Sequence, residues 1–169
     1  MGYGVIKVVS NKVECLDFGV HHLKGTDDHT LKLKSIFEFT LQLIDKHHPD
    51  EVSAEAPFFG KNVQSMLKLG RAQGVALAAA LYRNIPVFEY SPRKIKQSIT
   101  GSGAASKEQV AAMLKNMNLI SQIPENLDAT DGIAAALCHY YQGKNAVVTG
   151  KKNYSGWKAF LSDNPSRKF

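Results

Sequence analysis

The sequence predicts an α/β protein with one main domain. Runs rich in β-branched and aromatic residues alternate with runs whose apolar residues recur at helical spacing, a pattern typical of helices packed on a sheet. The chain has 169 residues, 44% of them hydrophobic, which is enough for a substantial core. Its apolar runs fall short of the roughly 20 residues that a membrane-spanning helix needs. We therefore expect a soluble cytoplasmic protein with no membrane partner.

The chain opens with two predicted strands, residues 3–9 and 13–20. Both are rich in valine, isoleucine and aromatic residues, and the short polar segment 10–12 between them predicts a hairpin. Apolar side chains then follow helical spacing from residue 31 to residue 47, where two histidines and a proline end the run. We expect a helix there with a solvated end.

A short strand comes next, in the segment "EVSAEA" (residues 51–56), followed by a helix over residues 62–83. Glycine and alanine occur repeatedly between Gly70 and Ala80, so this helix is thin. Its shape predicts close packing against either a sheet or a partner helix.

The remaining elements are a strand over residues 85–91 and helices over 106–117 and 127–141. Ser106 and Gln109 have the spacing of a capping box at the start of the first of these helices. We place the domain at residues 1–142. Residues 143–169 form a basic tail, which is either a nucleic-acid-binding arm or simply a solvated terminus.

Two aspartates in "LDATDGIAAALCHYY" point to chemistry. Asp128 and Asp131 are three residues apart, so on a helix they lie about 60° apart on one face. That face continues through Ala135 and Cys138, and paired carboxylates near apolar surface require a counter-charge. The alternative is that one aspartate is merely the helix N-cap.

Glu55 is a third candidate. Alternation along the strand puts it on the face opposite Ala54 and Ala56, near the carboxyl end, where α/β sheets commonly bind ligands. It could equally be an edge-strand glutamate facing water. Together with the aspartates, however, it makes three carboxylates from two separate elements, a strand and a helix, and carboxylates are the ligand type that Mg²⁺ or Mn²⁺ prefers.

A basic segment could contact phosphate. Arg93, Lys94, Lys96 and Lys107 flank the glycine-containing loop "TGSGAASK" (residues 100–107), which leads into a helix N-terminus. The spacing is not that of a Walker A loop. The alternative is a solvated connector.

A segment with two adjacent aromatic residues follows Glu55 and Ala56. Phe58 and Phe59 are either core residues or aromatics that stack on or wedge between bases, and Lys61 follows them.

Taken together, these segments resemble the RuvC-type Holliday-junction resolvases. The motifs that carry the resemblance occur in the family's order over residues 2 to about 142, and they are "GYGVI", "EAPFFGKN", "LKLGRAQGVA", "IKQSITGSGAASKEQV" and "DATDGIAAALCHY". The sequence is most similar to the variants found in Bacteroidetes-like bacteria.

The resemblance implies a ribonuclease H-like mixed sheet flanked by helices, a homodimer, and symmetric Mg²⁺-dependent cleavage of four-way DNA junctions. Glu55, Asp128 and Asp131 match three of the family's four metal-binding catalytic positions. Two Mg²⁺ ions per site are expected, with Mn²⁺ able to substitute. A branch-migration helicase complex is a further partner that the family suggests.

The resemblance also implies how DNA is contacted. Phe58 matches an aromatic residue that distorts the junction centre, with Lys61 close behind it. Lys96 and Lys107 match basic residues that contact DNA near the scissile phosphate.

One family feature is missing from the chain. The family's first, central strand and its catalytic aspartate precede the motif that here follows Met1. We expect that segment to be encoded upstream, and expect a chain starting at Met1 to fold poorly and to cut slowly or not at all. Two alternatives to a resolvase stay open: a non-catalytic junction-binding protein with an incomplete metal site, and a related nuclease acting on RNA or linear DNA.

Overall fold

The structure is a computed structural model that describes residues 1–23, 28–57 and 62–148, without the side chains of residues 144–148. Four strands and five helices lie in these ranges. In chain order they are β1 (Gly2–Val9), β2 (Lys12–Val20), α1 (His29–His47), β3 (Val52–Glu55), α2 (Val63–Tyr82), β4 (Val87–Tyr90), α3 (Pro92–Thr100), α4 (Lys107–Asn116) and α5 (Asp128–Val148).

The strands pair in two groups. β1 and β2 form an antiparallel hairpin, and Ser10 and Asn11 make its turn with φ of 49° and 67°, the left-handed values that a tight two-residue turn requires. β3 and β4 pair in parallel, with Glu55 opposite Tyr90. Within the described ranges no ladder joins β1 to β3. The predicted mixed sheet is therefore present as an antiparallel half and a parallel half.

Helix α5 is the centre of the core. Its buried side chains include Ile133 and Leu137, which pack with residues of α3 and α4 and with partly buried side chains of the hairpin. Glycines allow α5 to approach β1 very closely: a Cβ atom on Gly4 would overlap the backbone of Ile133, and one on Gly132 would overlap Tyr3. This contact fixes the N-terminal half of α5 beside the hairpin.

The β3–β4 pair presents different side chains to its two sides. Paired residues share a face, and the side chains of Tyr90 and Phe88 contact His139 of α5. Glu55, the partner of Tyr90, therefore lies on the α5 side of this pair. Glu89 projects the other way and accepts a hydrogen bond from Gln73 of α2. The alternation predicted for Glu55 is confirmed.

Most predicted elements are confirmed to within a few residues, including the capping box of Ser106 and Gln109. The solvated connector that the sequence left open as the alternative for the basic segment is wrong before residue 100, because residues 92–100 form helix α3. Ser91 is its N-cap, Pro92 its first residue, and Gly101 ends it with φ of 77°. The last helix also continues past residue 141, to Val148.

The solvated end expected for α1 is wrong for His47. Its ring nitrogen lies 3.0 Å from Asp17 of β2, and only 11% of its side chain is exposed. The contact ties the end of α1 to the hairpin. Within the described residues, no helix has the length and apolar character needed to cross a membrane.

Candidate active site

The two predicted aspartates lie at the start of α5. Asp128 is the first residue of the helix, and the side chain of Asn126 accepts a hydrogen bond from its backbone N–H. Both aspartates lie within the helix and Asn126 supplies the capping oxygen, so the interpretation of one aspartate as the N-cap is wrong. Ala135 and Cys138 further along are buried, whereas Asp128 and Asp131 keep 59% and 37% of their side chains exposed. The carboxylates thus stand at the open end of a face that is otherwise apolar.

Lys107 bridges these carboxylates. As the first residue of α4, it donates hydrogen bonds to Oδ1 of Asp128 over 2.6 Å and to Oδ2 of Asp131 over 2.8 Å. Desolvation would lower the pKa of Lys107, but the hydrogen bonds and the charges of both aspartates raise it above its ordinary value. The hydrogen bond from Lys107 holds the pKa of Asp128 below its usual range. The pair therefore shares one cation.

Glu55 lies at the end of β3, close enough to this cluster for the charges of Asp131 and Lys107 to shift its pKa. Desolvation raises the pKa of Glu55, and the negative charge of Asp131 raises it further, while Lys107 and Lys96 oppose the rise. Although solvent reaches the side chain, the surrounding protein removes enough hydration to disfavour its ionised form. Lys96, on α3, adds a second ammonium to the same region.

The carboxylates suit a hard divalent cation in their chemistry. All three are oxygen ligands, Asp128 and Asp131 already share a positive group, and Glu55 responds to the charge of Asp131. In the part of the chain that the structure describes, however, no three His, Cys, Asp or Glu side chains enclose a space for a metal ion. Lys107, rather than Glu55, completes the group around the aspartates. A cation held by all three carboxylates requires the Lys107 side chain to move.

Two predicted DNA contacts, Phe58 and Lys61, lie outside the described residues. Of the predicted basic residues, Lys107 and Lys96 lie beside the carboxylates. Lys94 instead lies over the ring of Tyr90, 5.3 Å from its centroid.

Sequence reasoning missed a second polar group near the site. The side chains of Tyr90 and Glu51 both bond to the ring of His139. Glu51 and His139 are 88 residues apart, so no local spacing could have indicated this contact.

The chain is similar to known proteins over most of its length. The family model described as "Crossover junction endodeoxyribonuclease RuvC" matches residues 1–139. The chain belongs to the RuvC family. A RuvC from Christiangramia forsetii is 56% identical over 167 residues, which cover 99% of this chain and 86% of that protein. RuvC of Cytophaga hutchinsonii is 55% identical over 167 residues, covering 99% of this chain and 82% of the relative.

RuvC structures from Thermus thermophilus have the same fold. The structure described as "T. thermophilus RuvC in complex with Holliday junction substrate" superposes with a TM-score of 0.78 at 28% identity, and covers 86% of this chain and 88% of its own. A second, described as "Thermus thermophilus RuvC structure", gives a TM-score of 0.73 at 26% identity, with the same coverage. The ribonuclease H-like fold expected from the sequence is confirmed.

The RuvC family is a family of metal-dependent nucleases, and the predicted enzyme class is confirmed by its relatives. The resemblance to variants from Bacteroidetes-like bacteria is confirmed as well, since RuvC of Bacteroides fragilis is 54% identical over 169 residues, covering 99% of this chain and 89% of that protein. The family model ends three residues before the predicted domain boundary at residue 142. That boundary stays a prediction.

Proposed function

We propose that this protein resolves four-way (Holliday) DNA junctions by paired, symmetric hydrolysis of phosphodiester bonds in recombination and repair. The observation that carries the proposal is the meeting of Asp128, Asp131 and Lys107 beside Glu55, on a RuvC-family fold. Two carboxylates and an ammonium on neighbouring helices are suited to a backbone phosphate, which needs both cation ligands and positive charge.

Each side chain has a proposed task. Glu55, Asp128 and Asp131 would hold Mg²⁺, two ions per site, with Mn²⁺ able to substitute. When bound, these ions would lower the pKa of an attacking water and stabilise the leaving oxygen. Lys107 and Lys96 would place their ammonium groups against the DNA backbone. Lys107 can do so only after it leaves the two aspartates that it bridges here.

Phe58 and Lys61 are proposed to contact the junction, because they follow the Glu55 strand directly in sequence. An aromatic side chain there can stack on an unpaired base at the junction centre, and Lys61 can contact a phosphate. Recognition would depend on junction shape more than on base edges.

Cleavage of labelled DNA tests the proposal. Wild-type protein with Mg²⁺ is expected to nick two opposite strands of a mobile four-way junction and to leave linear duplex of the same sequence intact. D131N and E55Q should reduce cleavage on the order of 100-fold or more while retaining junction binding. Glu14→Gln, on the exposed face of the hairpin, is the matched control and should cut like wild type.

The outcomes separate the three function classes. Junction binding without paired nicks would favour a non-catalytic binding protein. Preferential cleavage of RNA or linear DNA in competition would favour a different ribonuclease H-like nuclease. Absence of both binding and cleavage would overturn all three.

We also propose that the protein acts as a homodimer paired through α2. Apolar or small residues that are exposed, or partly exposed in the case of Gly70, recur along one face of this helix at spacings of four, three, four and seven residues: Val63, Leu67, Gly70, Gly74 and Leu81. Leu67 is 53% exposed, and a Cβ atom on either glycine would meet open space. A second copy of the helix fits such a stripe, since the glycines permit close approach of two backbones. Two identical sites then face two equivalent strands.

Sedimentation measurements test this pairing. Wild type should sediment as a dimer, and L67E should dissociate it because the charge would be buried at the contact. Leu16→Glu is the control, since Leu16 is 45% exposed on β2, away from the stripe. Dissociation by L16E and not by L67E would place the interface elsewhere.

Two further proposals follow from the family resemblance alone. One is a branch-migration helicase complex as a partner, and the other is the cytoplasm as the place of action. Co-purification with tagged protein and fractionation of cells would test them.

A further inference from the structure

A chain of polar side chains joins β4, the start of β3 and α5, and two of these elements, β3 and α5, also carry the three carboxylates. The Tyr90 hydroxyl lies 2.7 Å from Nδ1 of His139, and Nε2 of His139 lies 2.6 Å from Oε2 of Glu51. Tyr90 ends β4, Glu51 immediately precedes β3, and His139 lies on α5. None of these residues has a role in the reaction proposed above.

The direction of the hydrogen bonds follows from the groups involved. An ionised carboxylate only accepts, so Nε2 of His139 carries the hydrogen that points at Glu51. In the neutral ring Nδ1 is then an acceptor, and the Tyr90 hydroxyl donates to it. Desolvation raises the pKa of Tyr90, as do the nearby Cys138 and Glu51, which keeps the hydroxyl protonated as the donor.

The ring of His139 is also held by packing. Only 18% of the side chain is exposed, and its centroid is 4.4 Å from that of Phe88 on β4. A partly buried ring with both nitrogens bonded and one face covered has few alternative positions.

The geometry connects this chain to the acidic cluster. Glu51 is four residues before Glu55 along an extended segment, a span of roughly 13 Å. His139 is eight residues after Asp131 on α5, a span of roughly 12 Å. The bond between Glu51 and His139 thus joins β3 to α5 at one end, while toward the other end Glu55 and Asp131 are close enough for the charge of Asp131 to act on Glu55. Tyr90, the ladder partner of Glu55, reaches the same ring from β4.

We propose that His139 is a positioning residue for the metal-binding carboxylates. By bonding Glu51 and Tyr90 together, it sets the place of α5 relative to β3 and β4, and so the separation of Asp128 and Asp131 from Glu55. The inference rests on the proposed function, because the separation matters for a shared divalent cation. A displacement of ligands by even a fraction of an ångström weakens such a site.

Substitutions at His139 and Tyr90 test this role. H139F keeps an aromatic ring against Phe88 but removes both hydrogen bonds, whereas H139Q keeps one donor and one acceptor. Y90F removes a single hydroxyl and is the milder variant if H139F does not fold. Y141F is its matched control on α5, since no hydrogen bond of the Tyr141 hydroxyl is seen in the described part of the chain.

Two readouts do not require cleavage. One is the affinity of the full chain for Mn²⁺ by calorimetry, and the other is amide hydrogen exchange in residues 128–135. H139F should bind Mn²⁺ about tenfold more weakly and exchange faster there, at temperatures where it stays folded. Y90F should show a smaller change in the same direction, H139Q should recover most of the wild-type values, and Y141F should match wild type. Junction affinity should change less than about twofold in all four, because none removes a basic or aromatic DNA contact.

Unchanged Mn²⁺ affinity and exchange in folded H139F would overturn the inference, as would an H139Q variant no better than H139F. Failure of the proposed function looks different. Wild type that binds Mn²⁺ but cuts no junction would refute the resolvase, while the Mn²⁺ comparison would still decide the role of His139. If wild type bound no Mn²⁺, the metal site would be refuted, and the exchange comparison would decide whether His139 positions α5.

Discussion

The ammonium nitrogen of Lys107 lies 2.8 Å from Oδ2 of Asp131, although 24 residues separate the two in the chain. The same ammonium also bonds Asp128, so the two carboxylates are neutralised in part by the protein itself. A divalent cation that takes this place must release Lys107. Under the proposed function, the released ammonium would be available to a phosphate, and metal binding and DNA contact would be coupled through one side chain.

Replacing Lys107 should lower the stability of the metal-free protein but increase the stabilisation that Mn²⁺ produces. In K107M the two aspartates lose their shared cation and repel each other, so the unfolding free energy without metal should fall by about 1 kcal/mol or less, as expected for a half-exposed pair. Mn²⁺ should raise the melting temperature of K107M more than that of wild type, because no ammonium has to be displaced. Thermal melts with and without Mn²⁺ measure both effects.

The control for this experiment is K115M, which removes a lysine from the last turn of the same helix. It should respond to Mn²⁺ like wild type. An equal Mn²⁺ shift in K107M and wild type would show that Lys107 does not compete with the cation.

Glu55 should cost the folded protein stability at neutral pH. Desolvation and the charge of Asp131 raise the pKa of Glu55 in the folded state. The favourable contribution of the Glu55 carboxyl to the free energy of unfolding is therefore fully present below the unfolded pKa, and it is lost as the pH rises through the folded pKa. E55Q should therefore be modestly more stable than wild type near pH 7, and the difference should shrink in acid. Chemical denaturation across this pH range measures it, with E14Q as the control. If E55Q is more stable but inactive, Glu55 lowers the stability of the folded protein while being required for activity. Lower stability of E55Q at pH 7 would contradict the assignment.

Asp17 should have the opposite pH dependence. The hydrogen bond from Lys46 lowers the pKa of Asp17, and His47 lowers it further. Because the pKa of Asp17 is lower in the folded than in the unfolded protein, its ionised carboxylate adds to the free energy of unfolding above the unfolded pKa. That contribution is lost as the pH falls through the folded pKa. D17N should thus be less stable than wild type by about 1 kcal/mol near neutrality, converging with it in acid. Urea denaturation checks this against D50N, and a constant difference at all pH values would speak against the ion pairs.

Gly132 should not tolerate a side chain. A Cβ atom there would overlap the backbone of Tyr3, which cannot move without shifting β1, so G132A should destabilise the protein by about 1–3 kcal/mol or more. G143A makes the same change in the same helix where a Cβ atom meets open space, and should stabilise it by up to about 1 kcal/mol. Opposite shifts in melting temperature are expected, and equal shifts would refute the close packing of α5 on β1.

The sequence alone determined the local structure of this protein. Alternating β-branched residues and a left-handed Ser10–Asn11 turn define the hairpin, and Ser106 with Gln109 defines the start of α4. The spacing of Asp128 and Asp131 placed both on one helix face. Helix α3 was missed because it is only nine residues long and its buried side consists of two residues one turn apart, Ile95 and Ile99, although Ser91 and Gly101 marked its ends.

Only the tertiary structure decided which side chains meet. That Lys107 occupies the space between two aspartates, and that His139 joins Glu51 to Tyr90, depends on how α4, α5 and the β3–β4 pair pack together. The physical reason is the range of the interactions. Caps, turns and periodicity arise between residues a few positions apart, whereas the position of one helix against another is set by burial of side chains from the whole chain. The local pattern therefore indicated the candidate carboxylates, and packing determined their partners.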